Sequence, residues 1–444
     1  MKLAVGKVFG VGMIATMMLA CQPFAGIQPA TQNIIQTSRG PTTPSELIVV
    51  WGNPPTEADI SSIVRNHKAT VLARQNNRVL FGLHHGKIDD TSEKLRTIPG
   101  VRFVETNRVV RTSQYGPLRR ATPFARGSVV DISRHRLQAV PNDEAFQRQS
   151  PISGVRATWG LNAIRAEAAW DVTTGDPRVL VAVIDTGVDM THPDLGANID
   201  SRGARNFVEP GQPPDDDFGH GTHVAGIIAG VGDNVQGACG VAYRARILPI
   251  RVLGADGTGT TWNIVSAIEY AVERRCRIIN LSLGSPDFSA LEAEAIARAS
   301  AAGIVVVAAA GNEAGDGNYL EYPASYEGVV SVGAVGPDFK RAPFSNYNSW
   351  VSVVAPGVDI FSTIPERFSP NIPYGYLSGT SMAAPMVAGT AALLFSQNPR
   401  WTASQVQDRL KRTARDLTPP NDQVPGFDVF HGAGLIDAGR ALGR

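Results

Sequence analysis

The run Gly379-Thr380-Ser381-Met382-Ala383-Ala384-Pro385-Met386-Val387-Ala388-Gly389 sets one serine among small residues at the mouth of an apolar, helix-like segment that continues through Leu393 and Leu394. A serine hydroxyl is a weak nucleophile until a neighbouring base takes its proton. A helix N-terminus adds free backbone N–H groups that can stabilise an oxyanion. The reading therefore turns on whether the chain also supplies a base, an orienting acid and an oxyanion donor.

Each of the three has a candidate. Val181-Ala182-Val183-Ile184 followed by Asp185-Thr186-Gly187 reads as a buried parallel strand ending in a turn, which makes Asp185 the acid. In open α/β sheets, sites are built at that carboxyl edge. Gly219-His220-Gly221-Thr222-His223 opens a second apolar helix and offers His220 as the base. Ile304 to Ala310 is a third apolar run ending in Gly311-Asn312, and the Asn312 amide is a donor.

The order Asp, His, Ser, with these four local sequences, resembles the subtilisin-like serine protease family over about residues 141–442. The closing segment His431-Gly432-Ala433-Gly434-Leu435-Ile436-Asp437 is similar as well. The resemblance implies a three-layer α/β/α domain with a mainly parallel central sheet. It also implies the roles: Ser381 attacks a peptide carbonyl, His220 moves the proton, Asp185 orients the imidazole, and Asn312 with the Ser381 N–H holds the oxyanion. A non-catalytic binding scaffold of this fold would be expected to lose one of the three, and none is lost. The Gly-x-Ser-x-Gly elbow of esterases does not surround Ser381. His223 is expected to pack beneath the site rather than bind metal, because no acidic or Cys cluster follows it; His192 is expected in a turn.

The chain of 444 residues is 43% hydrophobic, 18% charged and carries a formal net charge of +1, so nothing points to nucleic acid. Its 45 glycines and 30 prolines suit a turn-rich α/β protein rather than a charged coiled coil. No motif for an organic cofactor was found. Lys2 and Lys7 precede an apolar stretch to Ala20, which reads as an export signal over residues 1–21. Met18-Leu19-Ala20-Cys21 is similar to a lipoprotein box, although the leucine is not three before the cysteine. Tethering through a lipid on Cys21 and ordinary release both stay open, and that lipid is the only membrane link expected. Cys239 and Cys276 lie in unrelated local contexts, so two buried thiols are preferred over a disulfide.

Residues 45–112 read as a separate α+β module in the order βαββαβ, which suggests a ferredoxin-like fold. By resemblance it is the propeptide domain, an intramolecular chaperone and then a product-like inhibitor. Residues 113–145, with Arg119, Arg120, Arg126, Arg134 and Arg136, are expected to be a flexible processing linker. Maturation is expected between Thr112 and Pro151, and the peptidase domain over residues 146–444.

The resemblance places the pocket for the residue before the scissile bond between Ser282-Leu283-Gly284 and Ala309-Ala310-Gly311, with Glu321 at its floor. A carboxylate there favours Lys or Arg; the bland alternative is that Glu321 points to solvent. Calcium is the implied ion, with Asp143, Asp194 and Asn234 as side-chain ligands and carbonyls from Gln236 and Ala238. The alternative is a turn in which these groups only cap the backbone. Asp215, Asp216 and Asp217 are left unassigned, because Gly211 and Pro213 stand where oxygen ligands would be needed.

Overall fold

The structure, a computed structural model, describes residues 42–84, 88–121, 140–147, 156–237, 239–417 and 426–444. The expected export segment with Cys21, the arginines at 126, 134 and 136, and Ala238 lie outside the described residues.

The N-terminal part runs β1 (Thr42–Trp51), α1 (Glu57–His67), β2 (Ala69–Gln75), β3 (Arg78–Leu83), α2 (Ile88–Arg96) and β4 (Val101–Thr112). Its strands pair antiparallel in the order β4-β1-β3-β2, the ferredoxin-like arrangement. Helix α1 starts with a capping box: Asp59 N donates to Thr56 Oγ1 at 3.2 Å, and Thr56 N donates to Asp59 Oδ2 at 2.8 Å. One sheet face buries Leu47, Val49 and Phe81 against Ile63 and Leu95. The other face, with Ile48, Val50 and Leu80, packs into a core shared with the larger part of the molecule.

The larger part contributes β5 (Tyr115–Arg120), α3 (Trp159–Ala163), α4 (Ala166–Trp170), β6 (Leu180–Asp185), β7 (Arg205–Asn206), α5 (His220–Ala229) and β8 (Arg246–Arg251). Next come β9 (Thr258–Thr260), α6 (Thr261–Glu273), β10 (Ile278–Leu281), β11 (Leu283–Gly284), α7 (Ala290–Ala301) and β12 (Val305–Ala309). The chain then forms β13 (Val329–Val335), β14 (Val351–Pro356), β15 (Ile360–Thr363), β16 (Tyr374–Ser378), α8 (Thr380–Gln397), α9 (Ala403–Thr413) and α10 (Ala438–Ala441). Seven of these strands make one parallel sheet, β14-β13-β12-β10-β6-β8-β7. Strands with both faces covered read as unbroken apolar runs, and β12 and β13 are buried at every residue. Helices α5 and α8 cover one face and α6 and α7 the other, giving the three layers the sequence implies.

Residues 113–145 are not a featureless linker. Tyr115–Arg120 forms β5, which pairs antiparallel with β16 although it holds Gly116 and Pro117. An edge position tolerates the proline, and Leu118 packs against the core. Strand β4 runs twelve residues, from Val101 to Thr112, past the edge of its own module. Cys239 and Cys276 are buried free thiols in cores on opposite faces of the parallel sheet. Among the described residues, no helix is long and apolar enough to cross a membrane.

Candidate active site

Strand β6 ends on Asp185 and α5 begins on His220, and both side chains are fully buried. His220 Nδ1 donates to Asp185 Oδ1 at 2.7 Å, which leaves Nε2 facing away from the acid. Thr186 N also donates to Asp185 Oδ1, at 2.7 Å. Asp216, which the sequence reading left unassigned, ties the two elements together. Its Oδ1 accepts from Thr186 Oγ1 at 2.8 Å and Gly219 N at 2.7 Å, and its Oδ2 accepts from Thr222 N at 2.8 Å and Thr222 Oγ1 at 2.6 Å. Burial still pushes its carboxyl above the usual range. Asp217 pairs with Arg251 at 2.8 Å and Arg367 at 2.7 Å.

Ser381 sits in the first turn of α8. Pro385, four residues on, has no N–H to give to the Ser381 carbonyl. That carbonyl instead accepts from Ser282 Oγ at 2.9 Å, so the residue just past the end of β10 fixes the Ser381 backbone. The Ser381 hydroxyl donates to Ser282 O at 3.0 Å, and among the described residues His220 Nε2 has no hydrogen-bond partner. Attack therefore requires the hydroxyl to turn from Ser282 toward the imidazole; such contacts commonly tighten only when the reaction begins.

Asn312 is oriented by Thr380, which the sequence reading did not single out. Thr380 N and Oγ1 both donate to Asn312 Oδ1, at 2.9 and 3.0 Å. This turns the Asn312 amide nitrogen into the cleft, where it donates to Ser113 O at 2.5 Å. Ser381 N donates to the same oxygen at 3.3 Å. Both donors thus meet on a peptide carbonyl of the chain itself. A Cβ at Gly379, whose φ is +147°, would come within 2.6 Å of that oxygen, so only glycine lets it approach.

The segment that delivers this carbonyl lies in the cleft as an added strand. Val109, Val110 and Arg111 pair antiparallel with Thr260, Gly259 and Thr258. Arg111 and Thr112 pair with Gly284 and Leu283, and Ser113 N donates to Ser282 O at 3.2 Å. Ser282, Leu283 and Gly284 therefore meet the chain directly. Gly311 N donates to Thr380 Oγ1 at 3.2 Å, and Ala310 is buried beside it. Glu321 is 6% exposed and so does not point to solvent. It lies against Gly284, where an added Cβ would meet Glu321 Oε1 at 2.3 Å. Burial, then the charges of Glu313 and Glu292, pushes its carboxyl well above the ordinary range.

The other predicted histidines are structural in geometry. His223 Nε2 lies 3.0 Å from Ile360 O, and burial lowers its pKa to about 3. His192 is buried with Nε2 2.9 Å from Pro373 O.

The predicted calcium residues come together around one loop. Asp233 N donates to Asp143 Oδ2 at 3.0 Å, and Asn234 Nδ2 donates to Asp194 Oδ1 at 2.6 Å. Asn234 Oδ1 accepts from Gln236 N at 3.0 Å, so its amide must turn over to ligate through oxygen. The Tyr374 hydroxyl also bonds Asp194. Asp143 is fully buried, and its Oδ1 has no partner among the described residues. A buried carboxylate oxygen beside a second carboxylate and amide oxygens is a donor set suited to a hard cation. Among the described residues no three His, Cys, Asp or Glu side chains converge, so such a site relies on amide and carbonyl oxygens.

A buried acid–imidazole pair, a serine at a helix mouth and two donors on a peptide carbonyl define a serine peptidase site. The profile of the Subtilase family matches residues 176–434, and the chain belongs to that family. Subtilisin BL of Lederbergia lenta is 42% identical over 281 residues, covering 63% of this chain and 96% of that protein. The thermophilic serine proteinase of Bacillus sp. (strain AK1) is 42% identical over 302 residues, 68% of this chain and 69% of that one. Among solved structures, fervidolysin of Fervidobacterium pennivorans, described as a keratinolytic enzyme related to subtilisin, aligns with a TM-score of 0.74 and 28% identity. The alignment covers 92% of this chain and 62% of fervidolysin. The chain is a subtilisin-like serine endopeptidase that acts on protein or peptide substrates.

Proposed function

We propose that the chain is an exported endopeptidase made as a self-processing zymogen, working through Asp185, His220 and Ser381 with Asn312 as oxyanion donor. The observation that carries this reading is the seat of Ser113 O between Asn312 Nδ2 at 2.5 Å and Ser381 N at 3.3 Å. Ser381 Oγ adds to the substrate carbonyl carbon as His220 Nε2 takes its proton. The imidazolium, held by Asp185, then protonates the leaving amine, and water releases the acyl group by the reverse proton path. Donors already aimed at the oxygen need no reorganisation when its charge develops.

In this reading residues 1–21 direct export, residues 45–112 form the inhibitor module, residues 113–145 form the processing segment, and residues 146–444 the peptidase. Lipid attachment at Cys21 rests on its sequence context alone. Inhibition is supported by strand pairing of the module in the cleft and by its grip on the helices behind. Arg78 pairs with Glu269 at 2.8 Å, Arg108 with Asp287 at 2.7 Å, and Glu105 Oε1 accepts from Ser289 Oγ at 2.7 Å. Asn107 Oδ1 accepts from Trp262 N at 3.0 Å, capping α6.

Calcium would be held by Asp143, Asp194 and Asn234, with the Gln236 carbonyl, and would neutralise their charge. Glu321 supports a preference for Lys or Arg before the scissile bond: a cation entering the pocket would draw the buried carboxyl into its charged form. Equal cleavage after Phe, Leu and Arg would refute that preference.

The test expresses the full chain and Ser381→Ala side by side with calcium and follows casein hydrolysis. Hydrolysis by the parent alone supports the reading. A folded parent that stays inert after an added protease strips its leader refutes it.

A further inference from the structure

We propose that the chain cuts itself between Ser113 and Gln114, an assignment that rests on the peptidase reading above. Ser113 and Gln114 are the two residues between β4 and β5, and both strands are fixed on the peptidase surface. Upstream, Val109 to Thr112 is registered against β9 and β11. Downstream, Tyr115 pairs with Ser378, Arg119 with Tyr376 and Arg120 with Gly375. The Tyr115 ring stacks on Phe344 with centroids 4.4 Å apart, and Arg119 forms an ion pair with Asp359.

Register held from both sides singles out one bond. Sliding the chain by one residue would turn every side chain of β4 over and break both pairings at once. The carbonyl between the two anchored stretches is that of Ser113, and it receives both oxyanion donors. Ser113 is 5% exposed, so the residue before the bond is enclosed where its carbonyl is held. The arginines of the processing segment are therefore not the cutting signal: Arg119 and Arg120 lie beyond the bond, on β5.

The chemistry balances. Ser381 Oγ bonds to the Ser113 carbonyl carbon and gives its proton to His220. The bond to Gln114 N breaks, and that nitrogen leaves as an amine carrying the proton. Water then cleaves the Ser113–Ser381 ester, restoring the serine and leaving a Ser113 carboxylate. The new carboxylate stays under the two donors while β4 remains paired, so the leader changes from substrate to bound product. The new N-terminus, Gln114, stays with β5 on the peptidase.

The experiment follows intact and peptide masses of the full chain, of Ser381→Ala and of Gln114→Pro. Gln114 N makes no hydrogen bond among the described residues, so the proline removes none from the backbone while spoiling the leaving amide. The parent should yield one fragment ending at Ser113 and one starting at Gln114. Ser381→Ala and Gln114→Pro should stay whole, with circular dichroism like that of the parent. A parent that cuts at any other bond overturns the assignment while leaving the peptidase reading intact. So does an uncut parent that hydrolyses casein once its leader is stripped by an added protease. A Gln114→Pro chain cut between residues 113 and 114 as fast as the parent also overturns it. An uncut parent that stays inert after stripping overturns both.

Discussion

The peptidase core and the N-terminal module packed on it are held together in different ways. In the core, Asp185, His220 and Ser381 are fully buried, and their side chains bond to Thr186, to each other or to Ser282, all in the larger part. The N-terminal module, by contrast, is held through one apolar sheet face with Ile48, Val50 and Leu80, through pairing of β4 with β9 and β11, and through ion pairs such as Arg78–Glu269 and Arg108–Asp287. Buried groups hold the candidate triad in place; in the zymogen reading proposed above, strand pairing sets when its chemistry becomes available. Changes in the core should therefore cost turnover, and changes around the leader should alter its retention or the stability of the whole.

The largest expected effect is His220→Ala. In subtilisin, removing the serine or histidine alone costs roughly a millionfold in turnover. A loss of that order in kcat on a peptide substrate, with KM little changed, would sharpen the contrast; a loss below about tenfold would break it. Asn312→Ala comes next, at about 100- to 1,000-fold in kcat, the known cost of removing such a donor in a subtilisin. If its effect fell on KM alone, the seat of Ser113 O would not represent a transition-state contact.

Calcium removal should act on stability rather than turnover. A cation at about 100 times its Kd stabilises by roughly 2.7 kcal/mol, and a domain of this size shifts by about 2–4 °C per kcal/mol. Chelation should lower Tm by about 5–10 °C, and Asp143→Asn should remove most of the difference between calcium and chelator. An unchanged Tm would favour the plain turn in which these oxygens only cap the backbone.

The smallest effect concerns the seam between the two regions. Glu292 on α7 is fully buried; burial first, then the charge of Glu105, raises its pKa to about 7, against the hydrogen bond from the Tyr326 hydroxyl. Glu105 is itself raised by burial, opposed by hydrogen bonds from Ser289 and Ala290 and by the charge of Arg108. An acid whose folded pKa lies above its unfolded value favours the folded state while protonated. That contribution is full below about pH 4.5 and is lost as pH rises through about 7. Uncut Ser381→Ala precursor should be more stable to urea at pH 5 than at pH 8, with about 1–3 kcal/mol of the difference removed by Glu292→Gln. A difference untouched by that substitution would place the pH dependence elsewhere.

The same contrast explains what could be read from the sequence. The triad candidates and Asn312 each sit where an apolar run meets a Gly-rich turn, a local pattern that needs no tertiary knowledge. The ferredoxin-like order over residues 45–112 was legible for the same reason, since helix caps such as Thr56–Asp59 and tight turns are local features. The seat of Ser113 was not, because β4 meets β9 and β11 through segments far apart in the chain that share no local signature. Strand β5 was missed because Gly116, Pro117 and two arginines carry little β propensity, and only the edge of β16 makes the segment a strand. The role of Ser282 did have a signal: Pro385, four residues after Ser381, announces a carbonyl in need of a donor.

The central claim is that Ser381 is the activated nucleophile and that the leader's own carbonyl fills its oxyanion site. A fluorophosphonate, which bonds only to an activated serine, tests both halves at once when its site is mapped by peptide mass. The account predicts a label on Ser381 in the matured parent and none in uncut Gln114→Pro precursor at the same dose. Labelling of another residue, or equal labelling of Ser381 in both proteins, would contradict it.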